Sequence, residues 1–272
     1  MKFENPQIPE NFNVSKRNHL LDFLVLCAGA AALITVVVLI LGLMAGWLAH
    51  KIPFEHERLL SAPFENQFKK ASDTETEAYL ERVVRSIEVC SELPEGMSIH
   101  FHYLEDDVFN AFATLGGNIV IYKGLLERME NENELAMVIA HEIAHVKNRH
   151  PIQAMGRAVV VSVAISALFG GTNNPLEQSG LLTLLSFNRS MEIEADTAAL
   201  KAMHKCYGHI NGAESMFDEL EKIQKEYGVN SKVSLFSTHP LNDNRVANIR
   251  KIGIEQGWPL QGEITEFPKH LD

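Results

Sequence analysis

Basic residues are scarce in this sequence, which has 24 Lys and Arg against 35 Asp and Glu and a formal net charge of -11. A nucleic-acid backbone needs a cationic surface, so this balance excludes nucleic acid as a partner. Cysteine is scarce as well, and three cysteines cannot form a disulfide scaffold. Cys90 and Cys206 could be paired or free, so cysteine usage leaves the compartment open. The 272 residues contain no internal repeat or low-complexity tract and correspond to one large or two small domains.

Charged residues are absent from 23–49, a run of 27 positions with Trp47 near its end. As a helix this run is about 40 Å long, which is more than the thickness of the hydrocarbon core of a bilayer, about 30 Å. It is also longer than the apolar core of a cleaved signal peptide. We therefore expect a transmembrane helix over 20–49 that contacts the lipid bilayer through residues 23–49. The flanking basic residues are nearly balanced, and we favour a cytoplasmic N-terminus with an exported C-terminal domain.

The rest of the chain divides by pattern into an N-terminal tail (1–19), a connector (50–73) and one domain (74–272). Apolar residues at helical spacing predict most of that domain to be α-helical. Alternating residues predict short strands over 97–104, 109–113 and 118–122. We expect a mainly α fold with a small β-sheet, that is, an α+β domain, plus one N-terminal transmembrane helix.

One apolar run inside the domain, Ala158–Phe169, is too short by itself to cross a bilayer. The pattern favours a helix in the protein core. The alternative is a helix that contacts the membrane surface or enters the membrane from one side.

The segment His141-Glu142-Ile143-Ala144-His145 carries the strongest chemical signal. Residues i and i+4 of a helix lie on one face, so the two imidazoles can share one tetrahedral Zn²⁺ ion. Glu142 is adjacent to the first imidazole, where its carboxylate can take a proton from water on the metal. An apolar stripe on the other side of the same helix predicts that it packs into a core: Leu135, Ile139, Ile143 and Val146.

A catalytic zinc site needs a third protein ligand, and the segment Met191–Asp196 contains three acids. On a helix Glu192 and Asp196 share a face, whereas Glu194 points away. We expect Glu192 to be the ligand because its side chain is longer. Asp196 would accept a hydrogen bond from a ligand histidine and so fix its tautomer.

These motifs together resemble metallopeptidase family 48, a gluzincin family. The similarity covers about residues 70–255 and rests on separate segments that follow in order: Asn110–Ala113, Gly116-Gly117, Val120–Tyr122, His141–His145, Phe187–Arg189, Glu192–Asp196, and Thr238–Pro240 with Arg245. The resemblance implies a zincin-like metallopeptidase domain with one Zn²⁺ per chain on His141, His145 and Glu192. It also implies that Glu142 is the general base.

The proposed mechanism adds two further elements. His239 would stabilise the oxyanion of the reaction, or it would cap the zinc and keep the enzyme silent, with Arg245 as its support or as an anchor of the last helix. The predicted strand would bind substrate backbone as an added strand. It comprises Asn118, Ile119, Val120, Ile121 and Tyr122.

The resulting hypothesis is a single-span bacterial zinc endopeptidase that acts on misfolded membrane or envelope proteins. Its domain would lie in the periplasm, at the inner membrane. Because the family's CAAX prenyl proteases have several spans, the single span favours its quality-control members. The alternative is a zinc-gated chaperone or assembly factor with little or no proteolysis. A third hypothesis, a structural zinc site, requires four protein ligands.

Overall fold

Helices dominate the fold, and a small sheet lies between the third and fourth of them. The computed structural model describes residues 18–65, 68, 74–169, 187–227, 239 and 243–269. The helices within these ranges are α1 (His19–Ala49), α2 (Phe54–Glu65), α3 (Thr74–Ser91), α4 (Lys123–Leu126), α5 (Glu132–Lys147), α6 (His150–Phe169), α7 (Arg189–Tyr207), α8 (Ala213–Tyr227) and α9 (Asp243–Gln256). The strands are β1 (His100–Leu104), β2 (Ala111–Ala113) and β3 (Asn118–Tyr122). The predicted mainly α fold with a small sheet is confirmed.

The sheet has the strand order β1-β3-β2, with β3 parallel to β1 and antiparallel to β2. Phe101 is level with Ile119 on one side of β3, and Phe112 faces Val120 on the other. The prediction that Asn118–Tyr122 takes substrate as an added strand is therefore wrong in this state. A strand forms ladders on two sides only, and β3 already uses both. The outer strands of this sheet are β1 and β2.

Helix α5 passes through the centre of the hydrophobic core, where it packs against α3, α7 and β2. Its side chains Leu135, Ile139 and Ile143 are fully buried. Asn131 caps the helix by accepting a hydrogen bond from the backbone N–H of Glu134 at 3.1 Å. This cap defines the start of the helix, and the predicted stripe of buried apolar residues fixes its rotation about its axis.

The cysteine pairing that the sequence leaves open is decided by the packing of α3 on α7. A disulfide joins Cys90, near the end of α3, to Cys206, near the end of α7. The two cysteines are 116 positions apart in the sequence. The free cysteine of the described residues is Cys27, which lies in α1. Structural disulfides persist in oxidising compartments, so this pair bears on the location of the domain.

The segment predicted as a connector contains α2, and α2 is held to the domain by a buried ion pair. Glu57 of α2 and Arg149 are both buried, and the Arg149 Nε donates to Glu57 Oε2 at 2.8 Å. The other oxygen of Glu57 accepts the backbone N–H of Gly116 at 3.0 Å, and Arg149 Nη2 donates to the carbonyl of Ile52 at 2.8 Å. Burial raises the pKa of the Glu57 carboxyl, and Arg149 opposes part of that rise.

Helix α6 does not lie in the core, so the favoured prediction for Ala158–Phe169 is wrong. The helix packs along α1, and several of its large apolar side chains are exposed. By length and composition, two helices of the described residues could cross a membrane, His19–Ala49 and His150–Leu168. The sequence pattern could not separate these cases, because an all-round apolar helix is typical of a core and of a membrane segment alike.

Candidate metal centre

Four buried side chains converge where α5 passes the start of α7. They are His141, His145, Glu192 and His239, and one ligand atom from each lies within 4.8 Å of all the others. His141 and His145 come from one face of α5, as the i and i+4 spacing predicts. Glu192 comes from the first turn of α7, whose start is fixed by Asn188 accepting the backbone N–H of Met191 at 3.0 Å.

The distances among these atoms fit a tetrahedral zinc ion. Zinc bonds of about 2.0–2.1 Å hold ligand atoms roughly 3.3 Å apart in a tetrahedron. The Nε2 atoms of His141 and His145 are 3.0 Å apart. The Glu192 carboxylate oxygens are 3.4 Å from His141 Nε2 and 3.6 Å from His145 Nε2. Two imidazoles and a carboxylate are also a common donor set for zinc, so these three residues can hold the ion.

His239 adds a third imidazole to the same cluster. Its Nδ1 lies 3.2 Å from His141 Nε2 and 3.2 Å from Glu192 Oε1. Its Nε2 lies 3.5 Å from Glu142 Oε1. The other carboxylate oxygen of Glu142, Oε2, is buried and has no hydrogen-bond partner among the described residues. Glu142 is therefore positioned beside the ligand cluster with one oxygen available to a small polar molecule.

Asp196 and Arg245 contact the clustered side chains directly. Asp196 Oδ1 lies 3.0 Å from His141 Nδ1, which leaves the Nε2 of that ring directed at the cluster. Arg245 binds Asp196 with two parallel hydrogen bonds of 2.8 and 2.7 Å, and its Nη1 lies 2.9 Å from Glu192 Oε2. One guanidinium thus contacts both carboxylates. Its two parallel bonds to Asp196 have the fork geometry that is typical of arginine and a carboxylate.

Two effects, burial and the neighbouring charges, shift the pKa values of the groups in the cluster. Burial lowers the pKa of His141, but the carboxylates of Asp196 and Glu192 outweigh it and raise that pKa to about 10. Burial, together with the neighbouring imidazoles, lowers the pKa of His145 well below its ordinary value. Burial raises the pKa of Glu192, yet His239 and His141 more than offset this and hold it low. The site thus favours the ionised form of Glu192 beside the imidazoles, and a cation site requires such a carboxylate.

The contacts of His150 were not predicted from the sequence. Helix α6 does begin at His150. In addition, His150 is buried and its Nδ1 lies 2.9 Å from His145 Nδ1, while its Nε2 lies 3.4 Å from Glu194 Oε2. His150 therefore contacts the ring of His145 through Nδ1, while the Nε2 of His145 faces the cluster. The five-residue spacing from His145 was the signal, but only the reversal of the chain at Arg149 brings the rings together.

The ring of Phe187 packs against the ring of His145. The two rings stack with their centroids 4.0 Å apart.

The five residues of β3 predicted to bind substrate are not among the converging side chains, and they lie in the middle of the sheet.

Comparison with known proteins matches residues 74–253 to the family described as Peptidase family M48. The chain is 31% identical over 182 residues to the mitochondrial metalloendopeptidase OMA1 of Schizosaccharomyces pombe, covering 65% of this chain and 52% of that protein. It is 31% identical over 170 residues to the beta-barrel assembly-enhancing protease of Yersinia pestis, covering 56% and 34%. The OMA1 of Saccharomyces cerevisiae is 27% identical over 224 residues, covering 79% and 60%.

The chain thus spans between about one third and three fifths of the length of these relatives. The matched region includes all four converging side chains, the helices α5 and α7, and the small sheet. Together with the predicted motifs, it shows that this chain belongs to peptidase family M48.

Proposed function

We propose that this protein is a zinc-dependent endopeptidase that α1 anchors in a membrane. The observation that carries this proposal is the convergence of His141, His145 and Glu192 beside the carboxylate of Glu142. A zinc ion bound there would polarise the scissile carbonyl and lower the pKa of a water molecule. Glu142 would accept the proton of that water and return it to the leaving amine.

The proposed substrates are polypeptides, in particular misfolded membrane or envelope proteins. Two relatives are named for metalloendopeptidase activity in mitochondria and for a protease that enhances β-barrel assembly. For this chain we propose the bacterial inner membrane, with the domain in the periplasm. The Cys90–Cys206 disulfide supports a periplasmic location, because such bonds persist in oxidising compartments.

The zinc proposal is tested by metal analysis and by digestion of casein with the purified full-length protein in detergent. We expect one zinc ion per chain and cleavage that a chelator abolishes and added zinc restores. The metal is required because it supplies the charge that stabilises the reacting carbonyl oxygen. A protein that contains no metal, or that cleaves casein equally well after chelation, would rule the proposal out.

For His239 the geometry supports the capping role over the oxyanion role. Its Nδ1 lies as close to His141 and Glu192 as these ligands lie to one another, so it would fill the position that substrate needs. The same four-residue cluster is also what the structural-zinc hypothesis requires. A substitution at this residue separates the three roles.

We expect His239→Ala to raise peptidase activity about tenfold, because removing an interaction worth roughly 1.5 kcal/mol opens the closed state. Zinc content should stay at one ion per chain. His56→Ala, which changes an exposed histidine of α2, is the matched control and should leave both unchanged. Lower activity with zinc retained would instead favour the oxyanion role, and loss of zinc would favour a structural site.

A further inference from the structure

The second half of α6 is apolar, and the described residues form no protein core around it. From 158 to 168 it contains no charged residue, and no residue of this stretch is buried. Val163 is 64% exposed, and four other large side chains are also exposed: Val159, Val161, Ile165 and Leu168. A helix that is apolar on every side is stable inside a protein core or inside a membrane, and the described part of the chain does not provide the first environment.

Helix α1 lies alongside α6 and meets it through small residues. The buried residues of α1 are Gly42, Gly46 and Ala49. A Cβ on Gly156 of α6 would lie 2.9 Å from the carbonyl oxygen of Ala45, so only glycine permits this approach. Because the last turns of α1 meet the first turns of α6, α6 runs back along the apolar stretch of α1. The remaining faces of both helices are exposed.

We propose that α6 enters the bilayer beside α1 and that lipid acyl chains cover its exposed apolar face. This rests on the proposed anchoring of the chain by α1, whose apolar surface it continues. Trp47 marks the membrane interface, with the ammonium of Lys51 5.7 Å from its ring. Arg157 of α6 packs against Gly46 at the same level.

The length of the apolar stretch decides how far α6 reaches. At about 1.5 Å per residue, the turns from Arg157 to Leu168 extend roughly 16 Å, about half of a hydrocarbon core of about 30 Å. The described part of α6 therefore dips into the bilayer from the side of the peptidase domain and ends near its middle.

This insertion sets the catalytic cluster at the lipid surface. His150, the first residue of α6, contacts the ligand His145. Arg157 Nη2 lies 3.3 Å from the sulfur of Met191, the residue before the ligand Glu192. Both zinc-binding helices are thus tied to the first two turns of α6. The substrate class that fits this placement is a polypeptide segment that lies on the membrane or emerges from it.

Tryptophan fluorescence in vesicles tests the insertion, because bromine atoms on acyl chains quench only an indole that touches them. The full-length protein would be reconstituted in dioleoyl phosphatidylcholine and in its dibrominated counterpart. The sequence has two tryptophans, so W258F reports on Trp47 in α1 alone. Val163→Trp and Ile165→Trp, each placed in the W47F/W258F background, report on α6 at two positions. Val89→Trp in the same background is the control on an exposed residue of α3.

We expect the indoles at 163 and 165, which lie deeper than Trp47, to be quenched at least as strongly as Trp47 and the indole at 89 to keep its fluorescence. If Trp47 is quenched but neither α6 indole is, α6 is outside the lipid and this inference fails while the anchor stands. That result would include the case in which a second copy of the chain covers α6. If Trp47 is not quenched either, the anchoring proposal fails as well. Quenching at either α6 position supports the inference even if the other variant does not fold.

Discussion

Replacing Glu142 by glutamine should lower peptidase activity by about 10² to 10⁴, the range that a positioned general base contributes. Glutamine has nearly the same shape, but its amide cannot accept the proton that Glu142 takes in the proposed reaction. Glu142 lies beside the four converging ligands and is not one of them. Zinc content should therefore remain one ion per chain. The measurement is the cleavage rate of an unfolded substrate together with metal analysis of the same sample.

Glu127→Gln is the matched control, since it removes a carboxylate from an exposed position outside the cluster. Its activity should equal that of the unchanged protein. An E142Q variant that retained activity within tenfold would remove Glu142 from the role of general base. If proteolysis is lost but the cellular function survives, the chaperone alternative explains the protein better than the peptidase proposal.

Replacing Glu57 by alanine should reduce the free energy of unfolding by about 3–5 kcal/mol, the usual cost of leaving a buried charge without its partner. Arg149 would lose that partner, and the backbone N–H of Gly116 would lose its acceptor. The loss corresponds to a fall in Tm of roughly 6–20 °C for a domain of about 200 residues. Thermal unfolding of the full-length protein in detergent, followed by circular dichroism, measures it.

Glu55→Ala is the control for this change, because Glu55 is an exposed residue of the same helix. The double variant Glu57→Leu/Arg149→Met should recover most of the loss, since it removes both charges together. Equal Tm values for E57A and E55A would show that the ion pair contributes nothing to stability. The predicted connector 50–73 would then be only a tether, as its sequence suggests.

Glu57 and Arg149 illustrate a contact that the local sequence pattern does not predict. Glu57 lies in a stretch of scattered charges, and nothing near it in sequence distinguishes it from exposed Glu55. Its partner is 92 positions away, and the pairing depends on how α2 packs against the domain. The same holds for the disulfide, which forms because α3 and α7 pack side by side.

The sequence alone determined the features that depend on backbone periodicity: the long apolar helix α1, the helix that presents His141 and His145 on one face, and the shared face of Glu192 and Asp196. Each follows from residues within a few turns of one another. Only the tertiary structure decided that β3 is a central strand, that His150 touches His145, and that α6 lies against α1. Those features depend on which elements become neighbours, and that choice is made by the packing of the whole chain.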